Sequence, residues 1–279
     1  MKEFKNATNI DATFSLRLVP GNYKLVLWAD FVTAGDQAND LHYSTADLKN
    51  VTMINGYAVN DESRDAYFAI KDLTVGDASF NESITLKRPF GKVRVVTNDI
   101  QDLNSGTVPT SVKITYPAGT IPNGINAVEG TLLSGTNGSA VSYTANVNTF
   151  YQQGHDAAAG NQTLFTDDIV GIPAGQSAIK FTIETYDQTS ALIRSRNFNT
   201  DIPIQRNYLT TLMGSILTTS GNISIDIDEN FGGGIELSPV VTAANLGQVL
   251  NINSVLPGII ENLTITDLVA ADETIKIEK

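Results

Sequence analysis

The chain has no cysteine among its 279 residues, which excludes disulfide bonds, thiolate nucleophiles and thiolate metal sites. It also has only one tryptophan and two histidines. A small scaffold held together by disulfides is therefore ruled out. The folded state has to rely on hydrophobic cores, for which a chain of this length is long enough.

Charged residues are scarce, at 17% of the chain against a usual share of about 25%. Positive charge is the scarcer sign: 18 Lys and Arg stand against 30 Asp and Glu, for a net charge of −12. Nucleic acids and anionic membrane faces require clustered Lys and Arg, so neither is expected as a partner. The acidic excess is greatest from Asp226 onward, where nine acids accompany only Lys276 and Lys279.

Long apolar runs are also missing. None approaches the roughly 18–20 residues of a membrane-spanning helix, and the first residues lack the apolar centre of a signal peptide. Thr, Asn, Ser and Gly take the place of the missing charges, which is common among exported β proteins. The chain is therefore either a cytosolic protein or a mature form or fragment of an exported one, and the composition favours the second.

Strand periodicity is the strongest signal that is present. Apolar residues alternate with polar ones over 14–18 and, after a turn at 20–22, again over 23–27. Val26 and Trp28 occupy the opposite face of the second strand, so this strand is expected to be buried on both sides. Similar runs, separated by turn signals about every ten residues, predict an all-β sandwich fold.

Breaks in this pattern divide the chain into three parts. Pro89 interrupts the strands and predicts an N-terminal β-sandwich domain, residues 1–89, which is expected to lack its first strands, and a C-terminal β-sandwich domain, residues 90–234. A glycine-rich joint then precedes an extension, residues 235–279, that contains no aromatic residue. Within it, residues 259–265 and 274–278 read as single strands without partners.

Residues able to carry catalysis are few and scattered. His42 and His155 fall in loops of different predicted domains, and neither has a second histidine at metal-ligand spacing. No Gly-x-Ser-x-Gly nucleophile motif occurs. The adjacent acids at 61–62 and 167–168 are interpreted as solvated turn residues. The sequence therefore predicts a protein that is not an enzyme and has neither catalytic residues nor a cofactor.

Two weaker patterns concern binding. Asp226, Asp228 and Asn230 place oxygen ligands at alternate positions, but the glycine and glutamate that complete a calcium loop are absent, so no metal site is predicted. Tyr43 and Tyr151 lie in predicted loops and are candidates for contact with a glycan. The competing interpretation of such aromatic residues is cross-strand packing.

Several segments occur in a characteristic order over roughly residues 14–235. They are Leu18-Val-Pro-Gly-Asn-Tyr-Lys-Leu-Val-Leu-Trp-Ala-Asp30, Asn60-Asp-Glu-Ser-Arg-Asp-Ala-Tyr-Phe68, Ile84-Thr-Leu-Lys-Arg-Pro-Phe-Gly-Lys-Val-Arg-Val-Val96, and Pro203-Ile-Gln-Arg-Asn-Tyr-Leu-Thr-Thr-Leu-Met-Gly-Ser-Ile-Leu-Thr218 followed by Ile223-Ser-Ile-Asp-Ile227. Arg88, and Asn207 with Tyr208, are the most characteristic pieces. Together these segments resemble the fimbrillin superfamily, the fimbrial subunits and related surface lipoproteins of Bacteroidales.

The resemblance implies two tandem β-sandwich domains, transthyretin-like or immunoglobulin-like, carried by a lipoprotein on the outer membrane. Many members polymerise: a protease removes an N-terminal strand, and a terminal strand of a neighbouring subunit replaces it. We accordingly expect a fimbrial or adhesin-type subunit at the cell surface, with Ile275 and Ile277 in a candidate donor strand. The expected partners are other fimbrial subunits or a second copy, through strand exchange, and host or bacterial surface glycans or proteins. The alternative is a glycan-binding module of a nutrient-uptake system.

Overall fold

The computed structural model of the chain describes residues 13–14, 16–32, 39–54, 58–104, 107–147, 160–171, 177–218, 223–228, 235–236 and 260–268. Within these residues the chain is all-β, since the only helical pieces are two short 3₁₀ turns, Glu62–Arg64 and Ile100–Asp102. The all-β class predicted from strand periodicity is confirmed. No helix in this part of the chain is long and apolar enough to cross a membrane.

The strands are numbered in chain order. Before residue 89 they are β1 (Thr13–Phe14), β2 (Gly21–Asp30), β3 (Tyr43–Ser44), β4 (Val51–Met53), β5 (Ala66–Val75) and β6 (Phe80–Ile84). The middle of the chain forms β7 (Phe90–Thr97), β8 (Ser111–Tyr116), β9 (Gly124–Asn126), β10 (Thr131–Leu132), β11 (Val141–Asn146), β12 (Gln162–Val170), β13 (Ser177–Tyr186), β14 (Leu192–Ile204), β15 (Leu209–Gly214) and β16 (Ile223–Asp228). The tail adds β17 (Ile235–Glu236) and β18 (Ile260–Leu268).

Two four-stranded sheets, in the orders β12-β7-β15-β16 and β11-β8-β13-β14, contribute to the largest hydrophobic core. Ile179, Phe181 and Ile183 alternate along β13 with residues of the opposite face, and all three are buried. Strand β7 is buried at every position and pairs antiparallel with β12 and parallel with β15. Its alternate residues Lys92 and Arg94 are therefore buried cations, which require partners.

The strand that carries the single tryptophan pairs with β5 along ten residues, and Trp28 lies opposite Phe68. Its two faces pack against two different hydrophobic clusters. Val26 and Trp28 pack against the cluster that contains Phe68, whereas Leu25 and Leu27 belong to the cluster around Leu73. Both faces of β2 therefore pack against apolar clusters, but the predicted burial on both sides is met only in part, because Leu25 alone is buried and most residues of the strand have intermediate exposure.

One small sheet joins residues from both sides of the boundary predicted at 89–90. It has the order β10-β9-β4-β3, and its central contact pairs Val51 with Ile125. Gly124 at this contact has φ +156, and a Cβ atom there would approach the carbonyl oxygen of Val51 to 2.2 Å. The division into two tandem sandwiches stays a prediction, and this sheet runs across it.

The tail contributes a strand to a sheet with strands from the beginning of the chain. Strand β18 pairs parallel with β1, antiparallel with β6 and parallel with β17. The expectation that residues 259–265 have no partner strand is therefore wrong. Two of these partners, β1 and β6, lie in the first third of the sequence, where a local pattern around residues 259–265 cannot reveal them.

Candidate functional site

The sheet that includes β18 is the first candidate site, because a strand from the tail lies there between two strands from the start of the chain. In its register, Thr264 lies opposite both Thr13 of β1 and Ser83 of β6. Leu263 lies opposite Ile84, and the pairing shifts between Ile265 and Leu268. Because Ile84 is a buried member of a hydrophobic cluster, β18 adds its backbone beside a strand that contributes to a core.

A second candidate is a cluster of buried ion pairs where the turn at 61–65 packs against β7 and β12. The Arg64 guanidinium contacts the Asp167 carboxylate at 2.6 Å and donates to the Asp168 carbonyl oxygen at 2.8 Å. The hydroxyl of Tyr116 donates to the other Asp167 oxygen at 2.5 Å. Arg64 and Asp167 are almost fully buried, so each neutralises a charge that water does not reach.

Arg88 forms the second pair of this cluster. Its Nε and Nη2 atoms donate to the two oxygens of Asp65 at 2.7 and 2.6 Å, and the Tyr67 hydroxyl donates to the same carboxylate. The guanidinium also lies over the Tyr67 ring, 4.9 Å from its centre. Burial by itself would lower the pKa of Arg88, but Asp65 and Tyr67 raise it above its ordinary value. Arg88, one of the residues that carry the family resemblance, is thus permanently charged and holds Asp65 and Tyr67 in place through its guanidinium.

Lys92 forms the third part of the cluster and is shared by two carboxylates. Its Nζ atom lies 2.5 Å from a Glu62 oxygen and 3.5 Å from an Asp168 oxygen. Burial raises the pKa of Asp168 to about 7; Lys92 and Arg64 act in the opposite direction, whereas Asp65 and Glu62 add to the rise. Asp168 is therefore the carboxyl of the cluster whose negative charge is least well compensated.

The interpretation of the acids at 167–168 as solvated turn residues is wrong. Asp167 and Asp168 are buried in the middle of β12, and Glu62 hydrogen-bonds through Thr166 to the same strand. The sequence does contain a sign of buried ion pairs. Arg64 and Arg88 stand beside apolar runs, where a solvated cation is not expected. Arg64 and Asp167, however, lie 103 residues apart along the chain, whereas Arg88 and Asp65 lie 23 apart.

The structure places the predicted glycan contact Tyr43 in a core. The side chain is 3% exposed, its hydroxyl donates to the Arg64 carbonyl oxygen, and its ring packs edge-on against Trp28. No ring face is left for a sugar, because aromatic packing occupies it. Tyr151, the other candidate, lies outside the described residues.

The remaining predicted site residues are placed only in part. Asp226 and Asp228 lie on the edge strand β16, while their side chains and Asn230 fall outside what the structure describes. Ile275 and Ile277 also lie outside the described residues. Among the residues that the structure does describe, no group of three His, Asp or Glu side chains could hold a metal ion.

His42 meets a serine and an aspartate, but not as a catalytic triad. Its Nε2 atom lies 2.8 Å from the Ser63 hydroxyl oxygen and 3.8 Å from an Asp61 oxygen. Ser63 in turn donates to Asp61 at 2.6 Å. A triad requires the acid on the ring nitrogen that does not face the nucleophile, and here both contacts involve the same nitrogen. Burial lowers the pKa of His42, so the ring is neutral near pH 7.

The model of a family of unknown function, DUF6562, matches residues 1–274 of the chain. No curated protein matches it. Among solved structures, it is similar to a protein provisionally described as an adhesin from Bacteroides thetaiotaomicron, with a TM-score of 0.39 and 12% identity over 77% of this chain and 78% of the other.

Two further similar structures come from the same genus. A provisionally described adhesin from Bacteroides ovatus has a TM-score of 0.35 and 16% identity over 75% of this chain and 76% of that one. A provisionally described cell adhesion protein from Bacteroides fragilis has a TM-score of 0.33 and 9% identity over 74% of this chain. The present chain spans 64% of the length of the Bacteroides fragilis protein. These similarities are distant, and no residue of this chain is matched to a residue of theirs.

Proposed function

This chain belongs to the DUF6562 family, and we propose that it is a non-enzymatic surface protein of the fimbrial or adhesin type whose copies join by strand donation. The observation that carries the proposal is the position of β18 between β1 and β6. Strand β18 is held in this sheet by backbone pairing and belongs to the tail of the chain. A strand of this kind is suited to exchange between copies.

The energetics of such an exchange are favourable at high local concentration. A strand from a neighbouring copy would form the same main-chain hydrogen bonds with β1 and β6 that β18 forms within its own chain. Since the contacts are equivalent, the free-energy difference between the two arrangements reduces to the entropy of linking two chains. Polymerisation at a crowded surface then requires no additional interface.

The buried polar groups support a structural role rather than catalysis. Arg64 is paired with the buried Asp167, Arg88 with the buried Asp65, and Lys92 with Glu62 and the buried Asp168. These pairs connect the turn at 61–65 to β7, to β12 and to the residue that precedes Pro89. His42 is held neutral beside Ser63. The few charges and many Thr, Asn and Ser residues suit an exposed adhesive surface. We therefore assign the protein to the outer surface, in accord with its fimbrillin-like segments.

Disulfide trapping tests strand donation on a background that contains no native cysteine. Ser83→Cys and Thr264→Cys place one thiol on each of two residues that lie opposite one another in β6 and β18. Chains with only the first change are refolded together with chains that have only the second, and are then oxidised. We expect a covalent heterodimer, because a donated β18 brings the two thiols of different chains together.

A matched pair of variants provides the control. Thr115→Cys and Ser142→Cys occupy opposite positions of β8 and β11, where the two native hydroxyl oxygens lie 2.8 Å apart. The two single variants should give no heterodimer when mixed, whereas the double variant should close within one chain. A chain that has both Ser83→Cys and Thr264→Cys should also close a disulfide within itself. If it does, and the two single variants give no heterodimer when mixed, β18 stays in its own chain.

A further inference from the structure

The edge strand β16 presents two isoleucines to solvent on the side of its sheet that faces the core. Ile225 lies opposite Leu212, a buried member of the largest core, and Ile223 packs against the same core. Side chains two residues apart on a strand share one face, so Ile227 points to that side as well. Ile225 and Ile227 are nevertheless 47% and 39% exposed. Within the described residues, the facing sheet therefore stops short of them.

The facing sheet ends at β14, whose core-facing side carries two arginines. Arg196 lies opposite Ile183 and Arg194 opposite Thr185, and both of these β13 residues are buried. The two guanidinium groups donate to the carbonyl oxygens of residues 215–217 at distances of 3.0 to 3.2 Å. Strand β14 is the last of its sheet in the part of the chain that the structure describes, so its outer backbone groups are available for a further strand.

The positive charge of these two arginines is not neutralised by an ion pair. The ion pairs among the described residues involve other cations. Burial and the neighbouring Arg194 lower the pKa of Arg196, and Asp99 offsets this only in part. Asp99 is itself engaged by the backbone amides of Leu217 and Thr218. In a chain with a net charge of −12, such a pair of arginines favours an acidic partner.

Arg194, Arg196, Ile225 and Ile227 together form a surface that we call the β14–β16 shelf. Gly214 pairs with Ile223, so residues 215–217 and the arginines that contact them lie at the beginning of β16. Ile225 and Ile227 follow along β16 in the direction away from the arginines. A strand that fits the shelf therefore needs an acidic residue followed by two apolar residues at alternate positions.

The segment Glu273-Thr-Ile-Lys-Ile-Glu278 has this pattern. In an extended segment, Glu273, Ile275 and Ile277 share one face at intervals of about 6.6 Å, which is also the interval between Ile225 and Ile227 on β16. Residues 273–278 lie outside the described residues, so the match rests on their sequence. Their acid meets the arginines, and their isoleucines meet the exposed isoleucines, when the segment runs in the same direction as β16.

We propose that residues 273–278 of one copy dock as an extended strand beside β14 on the shelf of another copy. Glu273 then pairs with Arg194 and Arg196, and Ile275 and Ile277 cover Ile225 and Ile227. The inference rests on the proposed function, because it names the surface through which assembled copies hold a second part of the tail. This contact is separate from the pairing of β18, since no residue of the shelf belongs to β1, β6, β17 or β18.

Charge reversal in the full chain tests the docking, with assembly measured by sedimentation velocity over a range of protein concentrations. Arg194→Glu and Glu273→Arg should each weaken assembly at least about tenfold, because each change brings like charges together. An equimolar mixture of the two variants should restore assembly, because the reversed tail of one chain then meets the reversed shelf of the other. Lys180→Glu, at an exposed cation outside the shelf, should leave assembly unchanged.

A second pair of variants tests the apolar half of the shelf. Ile225→Asp should weaken assembly to a similar extent, whereas Ile70→Asp, at another partly exposed isoleucine, should not. Circular dichroism establishes that each variant is folded. Assembly that neither Arg194→Glu nor Ile225→Asp weakens would overturn the docking, and so would a mixture of the charge variants that assembles no better than either variant alone.

The outcome can be separated from that of the proposed function. A heterodimer in the Ser83 and Thr264 trapping experiment, with assembly insensitive to the charge variants, would retain the donation of β18 and reject docking on the shelf. Restored assembly in the mixture without a trapped heterodimer would support docking and reject the donation of β18. If neither result is obtained, both proposals are wrong.

Discussion

Arginine and lysine side chains of this protein occupy two very different environments. Arg88 and Asp65 are about 4–5% exposed and joined by two hydrogen bonds, whereas Lys180 and Asp201 form a pair on the surface. Removing one member of a buried pair leaves the other charge without compensation in a medium of low polarity. The same change at the surface leaves a charge that water solvates. The two pairs therefore form a natural comparison at the scale of single residues.

Arg88→Met should lower the free energy of unfolding by about 3–5 kcal/mol, because it leaves the Asp65 carboxylate buried beside Tyr67 without its cation. Lys180→Met, the matched surface change, should cost at most about 1 kcal/mol. Urea denaturation followed by circular dichroism measures both. Equal losses for the two variants would mean that the Arg88–Asp65 pair contributes no more than a solvated one.

Asp168 should make stability depend on pH in an unusual direction. Its pKa is raised from 3.8 to about 7 in the folded chain, so between these values the folded state holds a proton that the unfolded state has lost. The contribution of Asp168 to the free energy of unfolding is therefore fully present below pH 4, and it is lost as the pH rises towards 7. Asp168→Asn removes this dependence, and the variant should gain stability relative to the native chain between pH 5 and pH 8. Denaturation midpoints of the variant and of the native chain, measured at pH 5 and at pH 8, test this. The same difference between the two proteins at both pH values would contradict the prediction.

At the scale of elements, edge strand β12 is covered along its outer side by the loop at residue 60. The Asn60 amide donates to the Thr166 carbonyl oxygen at 3.0 Å, and its side chain accepts from the Thr166 amide and donates to the Leu164 carbonyl oxygen. Asn60 has φ 57, a left-handed conformation that asparagine tolerates better than most residues. Covering an edge in this way prevents it from pairing with another chain.

Two substitutions at Asn60 separate its two roles. Asn60→Gly keeps the left-handed backbone and removes the side-chain hydrogen bonds, for an expected loss of about 2 kcal/mol. Asn60→Ala removes the same bonds and adds about 1 kcal/mol of backbone strain. Ser190→Gly, at φ 64 in an exposed turn, is the control and should change stability by less than about 0.5 kcal/mol. Thermal unfolding measures all three; equal stability of the glycine and alanine variants would exclude strain at residue 60.

At the scale of the whole molecule, strands from the early and the late parts of the chain meet in one sheet. Strand β1 pairs with β18 at only two residues, so most of the contact of β18 with the start of the chain is with β6. Pairing strands so far apart in sequence carries a loop-closure cost that local pairing avoids, and local opening occurs most readily where few contacts hold a segment. This sheet is accordingly where we expect copies of the protein to interact.

A chain that ends at residue 257 should lose protection from hydrogen exchange at Phe80–Ile84 while keeping it at Ser111–Tyr116. The reason is that β18 supplies the backbone partners of β6, whereas β8 pairs with β11 and β13. A chain that ends at residue 268 retains β18 and should be protected at both strands. If β6 exchanges equally slowly in the shorter chain, β18 is not its pairing partner in solution.

The sequence by itself determined the features that depend on neighbouring residues. The period of two at Ile179, Phe181 and Ile183 predicts a half-buried strand, and the residues around Trp28 predict packing on both faces; both follow from side chains alternating across a strand. Composition likewise excluded thiol chemistry before any fold was considered.

Only the tertiary structure decided which distant residues meet. It paired residues 260–268 with β1 and β6, buried Asp168 beside Lys92, and enclosed Tyr43 against Trp28. The residues next to these positions in the sequence do not indicate any of these contacts, because strand partners and charge partners are selected by the packing of the whole chain. An aspartate that is solvated in one fold is buried in another, and its sequence neighbours do not distinguish the two cases.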